Sequence, residues 1–117
     1  MLCNATDFNK IVLITGYSDC RKGIDSLALM IRYKFNMDPF EKLTLYMFCG
    51  RSAKKLRAIY WDGTGFWLLS KRLEEGRFVW PRDTNEAMNI TQEQFEMLMN
   101  GFSVRPAFSE IKKEMII

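Results

Sequence analysis

Two alternating runs of residues on either side of Asp62-Gly63 constrain the fold of this chain more than any other feature. Residues 55–61, "KLRAIYW", and the run that begins at Phe66 both alternate and are rich in aromatic and aliphatic side chains. An Asp-Gly pair between two such runs predicts a β-hairpin. Another alternating run, "LTLYMFC" at residues 43–49, precedes the hairpin, and Glu75-Gly76 marks a turn before "RFVW" at residues 77–80. Residues 43–80 are therefore predicted to form an antiparallel meander of about four strands.

One strand and one helix are predicted ahead of this meander. The run "KIVLITGY" at residues 10–17 is apolar and β-branched, which is typical of a buried strand. Apolar side chains at helical spacing between Ile24 and Phe35 predict a helix. This helix should end by Asp38, because a residue that precedes proline is disfavoured in the helical conformation.

A second helix is predicted near the end of the chain, after a polar connection at residues 81–89. Thr91 and Gln94 have the spacing of a capping box, and Gly101 supplies a stop signal. Residues 103–117 are compatible with a short helix or with a loose tail. The predicted fold is one α+β domain over residues 1–117, with an N-terminal strand and both helices packed on one sheet face.

The composition argues against most enzyme classes. The chain has no histidine, which removes the commonest general base and the commonest metal ligand. Cys3, Cys20 and Cys49 are odd in number and lack CxxC spacing, so neither a disulfide framework nor a zinc site is indicated. The aspartates lie mostly in predicted turns, where conformation alone explains them. We therefore expect no catalytic activity, no metal and no cofactor.

The N-terminal sequence and the apolar runs bear on localisation. The first seven residues lack the basic-then-apolar arrangement of a signal peptide. No apolar run approaches the eighteen or so residues that a membrane span requires. A cytoplasmic protein is therefore expected.

Charge is distributed unevenly along the 117 residues. Residues 1–50 carry six basic and five acidic side chains, a net charge of +1. Residues 51–82 carry eight basic and three acidic side chains (+5), and residues 83–117 carry three basic and six acidic ones (−3). The middle of the chain is a basic block that also contains Trp61, Trp67 and Trp80, all the tryptophans of the protein.

Basic and aromatic side chains in one predicted sheet suit nucleic acid, because cations neutralise phosphates and exposed rings stack on bases. The candidate aromatic contacts are Trp61, Trp67 and Trp80. The candidate phosphate contacts in the basic block are Arg51, Lys54, Lys55, Arg57, Lys71, Arg72 and Arg77. We expect Lys55, Arg57 and Lys71 to be exposed on the same face of the sheet. The competing interpretation is that the tryptophans form the core or cross-strand pairs, and that the charges keep the sheet soluble. In either case Tyr60 and at least one tryptophan should be mostly buried.

The loop "SDCRKG" at residues 18–23 contains a second candidate contact. Arg21 and Lys22 precede a predicted helix N-terminus, where cations are mildly unfavourable and a bound anion would be favourable. The alternative is a solvated loop in which Asp19 and Asp25 balance the two cations.

The order of these segments resembles the TnpB accessory proteins of the insertion-sequence-sixty-six class of bacterial transposable elements. The similarity covers residues 9 to 102. It is carried by "TGYSDCRKGIDSLA", by "DPF", by the block from Leu43 to Pro81 and by "ITQEQFEMLMNGF". Departures are Cys20, where the family usually has methionine, and Glu41-Lys42, where it often has Ser-Gly. The family pattern falls on Gly16, Asp19, Arg21, Lys22, Gly23, Asp38, Pro39, Phe40, Arg51, Lys55, Tyr60, Trp61, Asp62, Gly63, Gly65, Lys71, Arg72, Leu73, Glu74, Gly76, Arg77, Phe78, Trp80 and Pro81.

The resemblance implies a role in transposition beside a separate, larger transposase that carries the acidic cutting residues. It implies a process and leaves the molecular activity open. Two hypotheses follow. The first is a non-catalytic accessory protein whose basic sheet face contacts DNA, with the element ends as the expected target. The second is a protein-interaction module that bridges the transposase or another accessory subunit through its aromatic face and its acidic C-terminal third.

Overall fold

A computed structural model describes residues 7–82 and 86–102, and these form a five-stranded mixed sheet with two helical segments. The order of the strands across the sheet is β4-β3-β2-β1-β5. The elements in chain order are β1 (Lys10–Ile14), α1 (Ile24–Leu29) with a π-helical continuation (Met30–Lys34), β2 (Thr44–Cys49), β3 (Lys55–Trp61), β4 (Phe66–Arg72), β5 (Ala87–Ile90) and α2 (Gln92–Met99). The α+β class, the N-terminal strand and the two helices are confirmed.

The centre of the sheet is a parallel pair of strands, β1 and β2, connected by α1. Both strands are almost wholly buried, as expected of apolar runs covered on both faces. Parallel strands require a crossover connection, which α1 and its continuation provide. The helical region ends at Lys34, ahead of Asp38 as the proline rule predicts. Because β1 and β2 run in the same direction, their carboxyl ends lie side by side at one end of the sheet.

β2, β3 and β4 form an antiparallel meander, in which the predicted hairpin at Asp62-Gly63 joins β3 to β4. The Asp62 carboxylate accepts hydrogen bonds from the backbone N–H groups of Thr64 (2.8 Å) and Gly65 (3.0 Å). Gly63 has a φ of 108°, a conformation that residues with a Cβ rarely adopt. The turn is therefore stabilised by interactions among its own residues.

The predicted fourth strand of the meander is wrong, and the remaining strand lies elsewhere. Residues 77–80 form no strand, and Phe78 and Trp80 instead insert into the core from an irregular segment. The remaining strand is β5, which takes its first three residues from the connection predicted to be polar, and it pairs antiparallel with β1. Without β5 the outer edge of β1 would leave backbone N–H and C=O groups unpaired. A four-residue segment with weak alternation meets that requirement.

The two helices pack on opposite faces of the sheet, which corrects the prediction of one shared face. Leu27 and Ile31 of the first helical segment pack with Val12, Ile14 and Tyr46. Phe95 and Leu98 of α2 pack against the other face, in the cluster that contains Ile11, Leu13 and Met47. Consecutive residues of β1 thus supply both cores, because side chains alternate across a strand.

The capping box that opens α2 is confirmed. The Thr91 hydroxyl accepts a hydrogen bond from the Gln94 backbone N–H (3.1 Å), and the Gln94 side chain accepts one from the Thr91 N–H (2.8 Å). Gly101 has a φ of 86° at the other end of the helix, as the stop signal predicts. The prediction for residues 103–117 lies outside the described residues.

Candidate nucleic-acid interface

Cations from separate segments of the chain meet at one end of the sheet. The strand register places the ends of β1 and β2, the start of β3 and the end of β4 at this end, since Cys49 pairs with Leu56 and Lys55 with Arg72. The loops after β1 and β2 and the segment after β4 extend from it. We call this region the basic end and define it by Arg21, Lys22, Arg51, Lys54, Lys55, Arg57, Arg72 and Arg77.

The basic end contains a cavity of about 450 Å³ between the loop that follows β1 and the loop that follows β2. Its cationic lining residues are Arg21, Arg51 and Lys55, and its one acidic lining residue is Asp19. Within the described ranges, 7–82 and 86–102, neither Arg51 nor Lys55 forms an ion pair. These two side chains are exposed and available to an anionic ligand.

Arg21 is locally compensated, as the solvated-loop interpretation of residues 18–23 predicted. Its guanidinium donates to both carboxylate oxygens of Asp19, at 3.0 and 3.1 Å, and its backbone N–H donates to the same side chain at 2.9 Å. The side-chain hydrogen bond from Arg21 is the main reason that the pKa of Asp19 falls to about 2. Both groups are exposed, so this pair organises the loop more than it stabilises the fold.

Arg57 tethers the loop of residues 18–23 rather than pointing freely to solvent. Its Nη1 donates a 3.1 Å hydrogen bond to the backbone carbonyl of Lys22, and its Nε is buried without an acceptor among the described residues. Its side chain is only partly exposed. Arg57 therefore connects β3 to the loop of Arg21 and Lys22, and it is the least accessible cation of the basic end.

The expectation that Lys55, Arg57 and Lys71 share a face is wrong for Lys71. Trp61 pairs with Phe66, so Lys55 lies opposite Arg72, and Lys71 lies opposite the buried Leu56. Lys71 therefore lies on the sheet face that α2 covers, beside an apolar groove lined by Leu69 and Met99. Lys55, Arg57 and Arg72 lie on the other face, and Arg72 is paired with Glu74 at 2.9 Å.

The basic and aromatic side chains are separated in space, in contrast to the mixed face that the strand patterns suggested. Trp61 and Trp67 lie at the far end of the hairpin, about six residues or 20 Å along β3 from Lys55. Trp61 contacts the rings of Phe40 and Phe66, each at a centroid distance of 5.0 Å. This second region, which we call the aromatic end, consists of Phe40, Trp61, Phe66 and Trp67.

The three tryptophans have different environments. Trp80 is 4% exposed and its Nε1 donates to the Ile14 carbonyl at 2.9 Å, so it is a core residue, and the prediction of at least one buried tryptophan is confirmed. Trp67 is 52% exposed and stacks on the partly buried Tyr60 at 6.2 Å. Its Nε1 donates to Asp62 at 2.9 Å. Of the three proposed aromatic contacts, Trp80 is inaccessible to a base, Trp61 is partly buried, and Trp67 remains accessible.

Sequence reasoning missed the polar groups that complete the cavity. Ser18, Ser52 and the thiol of Cys20 line it beside the cations. The signal that could have located them is the parallel pair, because in open α/β sheets ligands bind beyond the carboxyl ends of the strands. In the part of the chain that the structure describes, no group of three or more Cys, Asp and Glu residues is arranged to hold a metal ion. Neither helix there has the length and apolar character that a membrane crossing requires.

The fold and the basic end define a small α+β protein with a cationic, donor-rich surface at one end of its sheet. The chain belongs to the IS66 Orf2-like family, whose model, described as "IS66 Orf2 like protein", matches residues 9–108. This confirms the resemblance inferred from the sequence, and it associates the chain with an accessory role in transposition.

Two relatives from Sinorhizobium fredii (strain NBRC 101917 / NGR234) cover most of the chain. "Uncharacterized protein y4hO" is 38% identical over 96 residues, which span 82% of this chain and 83% of that protein. "Uncharacterized protein y4jC" is 32% identical over 92 residues, which span 79% of this chain and 78% of that protein. No solved structure matches the chain significantly.

Proposed function

We propose that this protein is a non-catalytic accessory protein of transposition that contacts the DNA backbone through its basic end. The observation that carries the proposal is the gathering of cations from four separate segments of the chain at one end of the sheet. Among the cations of the basic end, Arg51, Lys54 and Lys55 form no ion pair with any described residue. Membership of the family supports a role in transposition, and the cationic surface supports a contact to phosphate groups.

The arrangement favours contacts to phosphates over readout of bases. The cations lie on loops and at strand ends, and no exposed helix among the described residues carries them in a row that could enter a major groove. Cations on loops neutralise phosphates and release counterions, which gives affinity with little dependence on base sequence. We therefore expect affinity for duplex DNA that depends strongly on salt and only weakly on sequence, at the element ends and elsewhere.

The test is a salt titration of binding to a closed DNA dumbbell, which has phosphates but no strand ends. Lys54→Gln combined with Arg77→Gln removes two exposed cations of the basic end that lie outside the cavity lining. The slope of log K against log salt should become shallower by about one for each phosphate that the variant no longer neutralises. Absence of binding at low salt, or a slope of zero for the unmodified protein, would refute the proposal.

The matched control is Lys34→Gln combined with Lys42→Gln. Both side chains are exposed and lie at the opposite end of the molecule, where α1 with its π-helical continuation ends and β2 begins. This variant has the same net charge as the test variant, so it separates position from total charge. We expect it to bind the dumbbell almost as well as the unmodified protein. Equal losses of affinity in the two variants would show that no particular surface is used.

A second candidate function, a bridge to the transposase of the same element, is favoured by the aromatic end. Trp67 and Phe40 are exposed, and Asp62 and Asp38 lie beside them. These two rings lie on opposite faces of the sheet, because Trp67 stacks on Tyr60 and Phe40 contacts Trp61. Exposed aromatic rings beside carboxylates suit protein more than DNA, and aromatic side chains are common centres of protein interfaces. The test is capture of purified transposase by Trp67→Ala and by the unmodified protein, with and without element-end DNA. Equal capture by both would contradict this role for the aromatic end.

A further inference from the structure

The cavity at the basic end is formed by two β-turns that face each other across the ends of the parallel strands. One turn spans residues 19–22 and is closed by a hydrogen bond from the Lys22 N–H to the Asp19 carbonyl (3.1 Å). The other spans residues 50–53 and is closed by a bond from the Ala53 N–H to the Gly50 carbonyl (2.9 Å). A 2.8 Å bond from the Ser18 N–H to the Cys49 carbonyl joins the two connections.

The cavity is rich in donors and poor in available acceptors. In a β-turn the closing bond uses the last N–H, and the N–H groups of the two central residues are left over. The N–H groups of Cys20, Arg51 and Ser52 have no acceptor within the described residues. The side chains of Arg51 and Lys55 add charged donors, and both oxygens of the Asp19 carboxylate already accept from Arg21. Backbone N–H groups and cations around one concavity are the features of an anion site.

The net charge and the volume of the cavity favour a phosphate monoester as the bound anion. Three cations and one carboxylate line the cavity, a net charge of +2. A phosphate monoester carries a charge of about −1.5 to −2 near neutral pH and three strong acceptor oxygens. A backbone diester carries only one charge and has two oxygens that are not esterified. A volume of about 450 Å³ exceeds that of a phosphate group and leaves room for the attached sugar.

We infer that this cavity binds a phosphate monoester, either at the end of a DNA strand or on a free nucleotide. The DNA-end form rests on the proposed function and adds recognition of a strand end to the backbone contact. Arg51, Lys55 and the N–H groups of the second turn bind the phosphate oxygens. Burial raises the pKa of the Cys20 thiol, which therefore stays neutral beside the anion. Arg21 stays paired with Asp19 and lines the side of the cavity that the first turn forms.

The experiment compares the binding of three DNA probes of one sequence to the full-length protein. These are a duplex with 5′-phosphate ends, the same duplex with 5′-hydroxyl ends, and a closed dumbbell. The phosphorylated duplex should bind about tenfold more tightly than the hydroxyl duplex, the gain expected from charge-assisted hydrogen bonds to one dianion. Thymidine monophosphate and thymidine, as competitors, distinguish a free nucleotide from a strand end as the source of the phosphate.

Variants assign the preference to the cavity. Arg51→Gln and Lys55→Gln should each reduce the tenfold preference to about twofold or less. Lys54 lies between these two residues in the sequence but does not line the cavity. Lys54→Gln should therefore weaken the binding of all three DNA probes and leave the tenfold preference for the phosphorylated duplex unchanged. Arg51→Lys keeps the charge and should retain part of the preference. Urea denaturation of each variant confirms that the comparison is made between folded proteins.

The outcomes separate this inference from the proposed function. Equal affinity for phosphate and hydroxyl ends, with no competition by thymidine monophosphate and with the dumbbell still bound, overturns the inference and leaves the backbone contact standing. Binding of thymidine monophosphate without binding of the dumbbell supports the cavity and overturns the backbone contact. A preference for phosphate that survives both Arg51→Gln and Lys55→Gln assigns it to another site and also overturns the inference.

Discussion

Replacement of Trp80 by phenylalanine tests whether this ring stabilises the protein through burial and one hydrogen bond. Trp80 is 4% exposed, lies in an irregular segment after β4 and packs in the core on the α2 face. Its Nε1 donates a 2.9 Å hydrogen bond to the carbonyl of Ile14, at the end of the central strand β1. Phenylalanine keeps an aromatic ring at this position but cannot donate that bond.

The expected loss of stability follows from this burial and this bond. A buried acceptor left without its donor costs about 1–3 kcal/mol, and the smaller ring adds to this through imperfect packing. Trp80→Ala would cost about 3–5 kcal/mol, a large part of the roughly 5–15 kcal/mol that stabilises a typical domain. Trp80→Phe is therefore the more informative variant. At about 4 °C per kcal/mol for a domain of this size, the melting temperature should fall by roughly 4–12 °C.

Urea denaturation followed by fluorescence measures the difference, because Trp61 and Trp67 remain as reporters. The matched control is Trp67→Phe, which replaces an indole ring that is 52% exposed and removes its hydrogen bond to the partly exposed Asp62. We expect the control to change the free energy of unfolding by less than about 1 kcal/mol. A control that destabilises the protein as much as Trp80→Phe would refute the argument from burial.

Three further predictions concern single side chains. The hydrogen bond from the Thr64 backbone is the main reason that the pKa of Asp62 is lowered from 3.8 to about 2. The ionised carboxylate therefore contributes its full stabilisation above about pH 4, and this contribution is lost as the pH falls through 2. Asp62→Asn should flatten the acid side of a curve of unfolding free energy against pH. Thr91→Ala removes the α2 capping box and should cost about 1 kcal/mol in thermal unfolding, whereas Thr91→Ser should cost much less. Arg57→Ala should lower the free energy of unfolding by about 1 kcal/mol, because it frees the carbonyl of Lys22, and unchanged stability would contradict that tether.

The basic end changes how the charge pattern of the sequence is interpreted. The strand patterns predicted that Lys71 of β4 shares a face with Lys55 and Arg57 of β3, but the strand register places Lys71 on the opposite face and Arg72 on theirs. Lys55 and Lys71 are separated because Trp61 pairs with Phe66 across the hairpin, which places odd-numbered residues of β3 opposite even-numbered residues of β4. A shift of one residue in the register would have moved Lys71 to the face of Lys55.

The sequence alone determined those features whose cause lies within a few residues. The hairpin follows from Asp62-Gly63, because the Asp62 carboxylate and the freedom of Gly63 act inside the turn itself. The start of α2 follows from Thr91 and Gln94, which exchange hydrogen bonds across three residues. The family was also accessible from the sequence, because its motifs occur in fixed order along most of the chain.

Only the tertiary structure decided which distant segments meet. The edge of β1 recruits β5 from a segment with little strand signal, since unpaired backbone groups in the centre of a sheet are costly. The crossover through α1 makes β1 and β2 parallel, and their adjacent carboxyl ends bring the loop of Arg21 to the turn of Arg51. These contacts join residues about thirty positions apart. The residue pattern of neither loop predicts these contacts, because the strand pairing that brings the loops together forms only in the assembled sheet.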